Sequence, residues 1–411
     1  MKPATSLVIV GASYAGVQLA ASAREQGFAD RIMLIGEETH LPYQRPPLSK
    51  GLLTGKTAVD QLQLRGPSFY SDNAIELMLG HRVSSLDAAA LTVDLTDGSR
   101  IDAGWIALAT GARCRPVALP GVELAGVFDL RTLDDAQQIA AAATTARRAC
   151  VIGGGFIGLE VASALRSRGV DVTIIEAQPR LLMRGLPPLM STYIERAHRQ
   201  RGNHVLTGSG VREIRGEHGR VTGVVLSDGA EIGCELVVFG VGVIPNDDIA
   251  RRAGLAVDNG ILADRLGRTS APRVLAIGDV ANIELAPHPG RQGRMRLESI
   301  QAANDGAKAA ASGLVGRNEP SDTVPWFWSD QFDLKLQMAG LPLDNDAPVV
   351  RGDMNSDRFS VFYLRDGALV AAHSINKPAE HMLSRKLISR RARLTADQLS
   401  DESFDLKRTA V

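Results

Sequence analysis

Aromatic side chains make up only 4% of this 411-residue chain, and there are only three cysteines. Cys114, Cys150 and Cys234 are far apart in sequence. No C-x-x-C or C-x-x-x-x-C pair offers a redox dithiol, which restricts how electrons could leave the protein. Each cysteine reads instead as a small core residue. Charge of one sign is also missing: 46 Lys and Arg balance 46 Asp and Glu. Nothing in bulk points to nucleic acid or to a membrane surface. No apolar run approaches the length of a transmembrane helix. Met1 to Ser6 lead straight into a strand pattern with no secretory leader, so the cytoplasm is the expected compartment. No metal site is expected. The length calls for two or three domains.

Against these absences, one stretch stands out. Val151-Ile152-Gly153-Gly154-Gly155-Phe156-Ile157-Gly158 reads G-x-G-x-x-G, after an apolar run and before a helical pattern. Gly153 makes the tight turn, Gly155 lets a pyrophosphate approach the backbone, and Gly158 lets helix and strand pack closely. Phe156 and Ile157 open the helix beside it. The next strand, Val172 to Ile175, ends in Glu176, where a carboxylate meets a ribose 2′-hydroxyl. A second copy opens the chain. Leu7 to Val10 reads as a buried strand, followed by Gly11-Ala12-Ser13-Tyr14-Ala15-Gly16, with Ser13 in place of the second glycine. Arg31 to Ile35 is its second strand, with Glu37 as the ribose acid and Glu38 adjacent. Two fingerprints imply two dinucleotides and an α/β fold with two Rossmann-type domains.

The remaining segments fall around these units. Three prolines between His40 and Lys50 read as an extended loop that holds Arg45 and Lys50 rigidly. Asp97-Gly98 centres a hairpin. Trp105 to Ala109 is a buried strand ending in Thr110-Gly111, and Arg113 to Gly121 is a linker. Thr132 caps a helix. Leu236 to Phe239 is a strand with an irregular exit through Gly242. Val274 to Ile277 ends in Gly278-Asp279, an acid at the carboxyl end of a strand, where α/β sheets bind ligands. Arg296 to Gly313 reads as helical. Trp326 and Trp328 mark a cluster that fits a core corner or an interdomain wedge. From Leu334 onward the pattern is strands, fitting a C-terminal α+β domain. Leu383 to Arg393 reads as a basic amphipathic helix, either a solvated face or a dock for an acidic partner. The residues after Ser400 read as a poorly ordered tail.

Together, the two fingerprints, the Pro-rich loop ending in Lys50, Ala109-Thr110-Gly111, Ile277-Gly278-Asp279 and Pro325-Trp326-Phe327-Trp328-Ser329-Asp330-Gln331 resemble the FAD-dependent NADH:ferredoxin reductases of oxygenase systems. That family includes putidaredoxin reductase and the reductase components of aromatic-ring dioxygenases. The resemblance runs to about residue 400. It implies a glutathione-reductase-like architecture: an FAD domain over 1–112 and 240–322, an NADH domain over 113–239, and a C-terminal domain over 323–411. It also implies roles. Ala15, Glu37, Lys50, Val83, Arg131, Asp279 and Ile300 match FAD-contact positions, with Asp279 on the ribityl chain. Arg45 and Pro46 match the dioxygenase reductases. Lys50 and Glu160 are placed near the flavin ring, and Trp328 on the side where electrons leave.

The resemblance and the residues agree on one scheme: NADH reduces FAD, which passes electrons singly to a [2Fe–2S] ferredoxin serving an oxygenase. Glu176 favours NADH, because a carboxylate repels a 2′-phosphate, although Arg180 nearby leaves NADPH open. A monomer or weak homodimer is expected. The rival readings are an NADH oxidase using oxygen and an NADH-sensing, partner-binding flavoprotein. The oxidase relatives carry a reactive cysteine in the loop occupied here by Tyr43 to Ser49, which has none. The sensing class calls for a strongly basic surface or a targeting segment.

Overall fold

The computed structural model describes residues 6–286 and 293–409. The described chain divides into two compact units, the first comprising 1–44, 63–113 and 244–327, the second 45–62, 114–243 and 328–411.

The first unit is built on a five-stranded sheet in the order Val274–Ala276, Trp105–Leu108, Leu7–Val10, Ile32–Gly36, Ile75–Leu79. Every neighbouring pair is parallel. Alternation within Leu7–Val10 sends its side chains to two faces. Leu7 and Ile9 join a core with the helices Tyr14–Glu25 and Ile300–Leu314, where Ala20, Ala303 and Ala307 permit close packing. Val8 and Val10 join the opposite core with Val93 and Leu95. Those two belong to the antiparallel sheet Val83–Asp87, Thr92–Leu95, Arg100–Asp102, whose last turn is the expected Asp97-Gly98 hairpin. The helix expected from Arg296 starts at Ile300, because the Ser299 hydroxyl accepts from the Ala302 N–H as its cap.

The second unit repeats the plan. Its parallel sheet runs His204–Thr207, Asp171–Glu176, Arg148–Ile152, Leu236–Phe239, Val127–Asp129. The helices Phe156–Ser167 and Leu133–Ala142 follow its strands, the latter capped by Thr132 in a reciprocal bond with Asp135. A further five-stranded sheet takes the order Trp326–Gln331, Leu334–Gly340, Ala368–Ile375, Arg358–Arg365, Ala347–Asp353. The helix Pro378–Ser389 accompanies it.

Three further expectations change here. The Pro-rich loop is not extended: Pro46 and Pro47 open a 3₁₀ turn to Ser49, because a proline-fixed φ suits a helical first turn as well as an extended chain. The basic helix begins earlier and stops at Ser389. Arg391 has φ +53°, and the N–H groups of Arg391 and Ala392 bond back to the carbonyls of Ile388 and Leu387, closing the helix before Arg393. The tail after Ser400 is held. The buried Arg351 guanidinium donates to the carbonyls of Leu399, Asp401, Glu402 and Phe404 and pairs with Glu380. Among the described residues, no helix is long and apolar enough to cross a membrane.

Candidate functional site

In the first unit, the candidate residues gather beyond the carboxyl ends of the parallel strands. Gly11 has φ +119°, and a Cβ there would lie 2.1 Å from the Ala109 carbonyl oxygen. A Cβ on Gly16 would lie 2.0 Å from the Gly11 carbonyl oxygen. These two glycines are therefore demanded by backbone crossings. Ser13 is the N-cap of Tyr14–Glu25 but makes no capping bond, so its side chain and the first-turn amides of the helix suit an anion. Burial pushes the Tyr14 phenol up to about 12, keeping it neutral.

Two acids that sequence barely separates are separated by their partners. Glu38 accepts from the Tyr43 hydroxyl. Glu37 lies at the strand end, exposed, against exposed Arg82 at 3.2 Å. Glu37 is thus the more exposed of the two acids. Val83, next to Arg82, begins its own strand half-buried. Thr110 and Gly111 are stapled by Asn246, which the sequence reading missed. Asn246 donates to the Thr110 and Gly111 carbonyls at 2.8 and 2.9 Å, and the Thr110 hydroxyl donates to the Asn246 carbonyl at 2.8 Å. Gly278 has φ +70°, and a Cβ there would come within 2.8 Å of the Ala15 methyl. That contact brings Asp279 to the start of the fingerprint helix. Arg296 donates to the Asp279 carbonyl at 2.9 Å, and Ile300 opens the neighbouring helix half-buried. A glycine-lined helix start with an exposed carboxylate at the second strand fits the phosphate and ribose of FAD.

In the second unit, Gly153 and Gly158 repeat the steric demand. A Cβ on Gly153 would lie 2.5 Å from the Gly240 carbonyl oxygen, and one on Gly158 2.2 Å from the Gly153 carbonyl oxygen. Gly155 differs. The nearest atom to its imagined Cβ is 3.6 Å away, an ordinary contact. The protein itself does not require this glycine, which leaves room for a ligand. Gly154, overlooked in the motif, would clash with Leu181 at 2.5 Å, and its N–H donates to the Glu176 carboxylate at 2.7 Å. The other Glu176 oxygen accepts from the Gln178 N–H at 2.7 Å. Two backbone amides thus orient the carboxylate and leave lone pairs for ribose hydroxyls.

Arg180 is not spare for a 2′-phosphate. Its terminal nitrogens donate to the carbonyls of Leu186 and Met183 at 2.6 and 3.1 Å. Gly185 lets that turn cross the Phe156 ring, and Ile157 stands exposed at the helix start. Arg184 lies over Gly242, 3.0 Å from where a Cβ would be.

The second unit also assembles an ion pair on a buried carboxylate. Lys50 Nζ lies 2.6 Å from Glu160 Oε2, and Glu160 is only 4% exposed. The Ser49 hydroxyl donates to the same oxygen at 2.6 Å, and the Ser329 hydroxyl donates to Oε1 at 2.6 Å. The 3₁₀ turn at Pro46 is what delivers both Ser49 and Lys50 to Glu160. Arg45, at the start of that turn, donates to the Arg131 carbonyl, so two widely separated sequence positions meet. Strand alternation points Trp328 to the face opposite Ser329.

Cys150 and Cys234 are buried and unbridged in one core, and the half-buried Cys114 thiol is pushed up chiefly by burial. The Cys150 thiol is driven far up by its bond to the Cys234 thiol and by burial. The pair is close in space although distant in sequence, yet both thiols are fully enclosed.

Comparison with known proteins bears directly on these two units. A family model described as pyridine nucleotide-disulphide oxidoreductase matches residues 5–306, and one described as reductase C-terminal matches 326–410. Rhodocoxin reductase of Rhodococcus erythropolis is 42% identical over 402 residues, covering 98% of this chain and 93% of its own. The ferredoxin reductase for the CYP199A2 system of Rhodopseudomonas palustris superposes with a TM-score of 0.95 at 42% identity, covering 99% of this chain and 100% of its own. The covalent putidaredoxin reductase–putidaredoxin complex matches with a TM-score of 0.95 at 36% identity, covering 98% of both chains.

Proposed function

We propose that this chain, which belongs to the pyridine nucleotide-disulphide oxidoreductase family, is an FAD-dependent NADH:ferredoxin reductase of an oxygenase system. The observation that carries this reading is the pair of separately built dinucleotide cradles combined with two fully buried thiols. A disulfide relay inside the chain is thereby left without an accessible dithiol. FAD, when bound, supplies the chemistry that converts a two-electron donor, NADH, into single electrons for an iron–sulfur acceptor.

The chain's own residues bind, orient and neutralise. Gly11, Ser13, Ala15 and Gly16 hold the FAD pyrophosphate at a helix start, Glu37 holds its ribose, and Val83, Thr110, Gly111, Gly278, Asp279 and Ile300 line the rest. Gly153, Gly155, Phe156, Ile157, Gly158 and Gly242 hold NADH, and Glu176 selects it over NADPH. Support for that selection is the oriented carboxylate together with the engagement of Arg180 by backbone carbonyls. Of the second unit, Arg45, Pro46, Lys50, Arg131, Glu160 and Trp328 are assigned to the flavin, with Lys50 and Glu160 as a charge-compensated pair. The FAD domain spans 1–112 and 240–322, the NADH domain 113–239 and the C-terminal domain 323–411. The partner is a [2Fe–2S] ferredoxin, and the protein works in the cytoplasm as a monomer or weak homodimer.

Anaerobic titration of the purified flavoprotein tests the reading. NADH is expected to bleach the flavin stoichiometrically while NADPH at equal concentration does so far more slowly. Equal bleaching by both would overturn the role of Glu176, and bleaching by neither would overturn the reductase reading.

A further inference from the structure

The Lys50–Glu160 pair is the end of a longer buried chain of hydrogen bonds, all within the second unit. Ser329 Oγ lies 2.6 Å from Glu160 Oε1, and Gln331 Nε2 lies 3.0 Å from Ser329 Oγ. Gln331 Oε1 lies 2.9 Å from His198 Nε2, and Asn203 Nδ2 lies 2.9 Å from His198 Nδ1. Glu160, Ser329, Gln331, His198 and Asn203 are all buried. The Asn203 Oδ1 atom makes no hydrogen bond among the described residues, so the chain stops there.

The directions of these bonds are fixed from one end. A carboxylate only accepts, so the Ser329 hydroxyl must donate to Glu160. Its oxygen is then free to accept from the Gln331 amide N–H. That turns the Gln331 carbonyl toward His198, which must donate from Nε2. The Nδ1 lone pair is left to accept from Asn203. Every donor therefore points toward Glu160. The ring is neutral in this arrangement, since Nδ1 cannot both accept a bond and carry a proton. Burial pushes His198 down to about 4, in the same sense.

A buried polar chain is costly if it serves only as filler, because apolar packing would hold the same elements together as well or better. This one has a single beneficiary. It also crosses a short span of strand and helix: the Phe332 N–H donates to the Ser163 hydroxyl at 2.5 Å, one turn along the helix from Glu160. The strand end is thus clamped to the helix at two points, and Ser329 is presented to Oε1 in one position. Ser49 and Lys50 occupy Oε2. Both oxygens of the carboxylate are therefore fixed.

We propose that Ser329, backed by Gln331 and His198, is a positioning residue that holds the Glu160 carboxylate, and through it the Lys50 ammonium, in the place the reaction requires. The inference rests on the functional reading that assigns this pair to the flavin. Neither Gln331 nor His198 bonds to the ion pair, and the hydrogen bond by which they reach it is that of Ser329.

The test uses the flavin-loaded full chain as wild type, Ser329→Ala, Glu160→Gln and the double variant. With selectively ¹⁵N-labelled histidine, the wild type should show His198 as the neutral Nε2–H tautomer, and Ser329→Ala should shift that signal. Anaerobic stopped-flow with NADH should show the limiting rate of flavin reduction falling about tenfold or more in Ser329→Ala, with half-saturating NADH unchanged. In the Glu160→Gln background, the same substitution should cost nothing further. An equal loss in both backgrounds, an unchanged limiting rate, or His198 found as the other tautomer would overturn the proposal. Where Ser329→Ala does not retain flavin, Gln331→Met, one link further out, reads the same quantities. If wild-type flavin is not reduced by NADH at all, the functional reading falls, and the histidine spectrum still judges the chain of bonds.

Discussion

Gly155 and Gly158 occupy one motif, but their missing side chains serve different ends. A Cβ on Gly155 would meet only an ordinary contact, 3.6 Å from the Gly240 carbonyl oxygen, whereas one on Gly158 would lie 2.2 Å from the Gly153 carbonyl oxygen. Gly155→Ala should therefore fold normally and weaken NADH binding about tenfold, measured by titration. Gly158→Ala should lower thermal stability by about 2 kcal/mol or more, because backbone must shift to accept the methyl. Equal effects of the two on stability would contradict this division. The buried histidines give a second expectation. Burial holds His198 at about 4 and His373 at about 3, both below the ordinary value of 6.5. As pH falls below about 6.5 the unfolded chain gains protons that the folded chain refuses, so stability drops with falling pH. Each group contributes up to about 1.4 kcal/mol per pH unit between about 6.5 and its folded value. Melting curves between pH 7 and pH 5 should show this slope, and His373→Phe should reduce it. A slope unchanged by that substitution would remove His373 from the explanation.

Among the elements, the C-terminal segment has several of its carbonyls gathered by one side chain. Arg351 reaches the Leu399 carbonyl in the helix Ala396–Ser400, the carbonyls of Asp401, Glu402 and Phe404 beyond it, and the Glu380 carboxylate. Arg351→Ala should cost about 3 kcal/mol, because it leaves several gathered carbonyls without their buried donor, while Glu380 keeps Lys377 at 3.2 Å. Limited proteolysis should then cut first between Leu399 and Thr409. Resistance equal to the wild type would show that the tail is held by something else. This tether also marks where sequence reading stops. The strand–turn–helix units were legible because their glycines, apolar runs and acids lie within about 30 residues of each other. Asn246, Ser329 and His198 were not. Asn246 holds Thr110 across 136 positions, Ser329 meets Glu160 across 169 and His198 meets Gln331 across 133. No local pattern announces such a meeting. The Pro46–Pro47 bend was misread for a different reason: the same proline φ serves an extended chain and a 3₁₀ turn, and what the following residues do decides between them. Similarly, nothing in the composition of Arg390 to Arg393 signals that Arg391 takes the left-handed conformation that ends the helix.

For the whole molecule, the two glycine-lined cradles and the two enclosed thiols accord with the proposed outlet for electrons, a ferredoxin. The decisive measurement follows NADH consumption by the flavin-loaded protein with and without an added [2Fe–2S] ferredoxin while dissolved oxygen and peroxide are recorded. Slow turnover alone, and turnover at least about tenfold faster with ferredoxin and little peroxide, is the predicted result. Fast oxygen uptake that ferredoxin does not increase would contradict it and identify an oxidase.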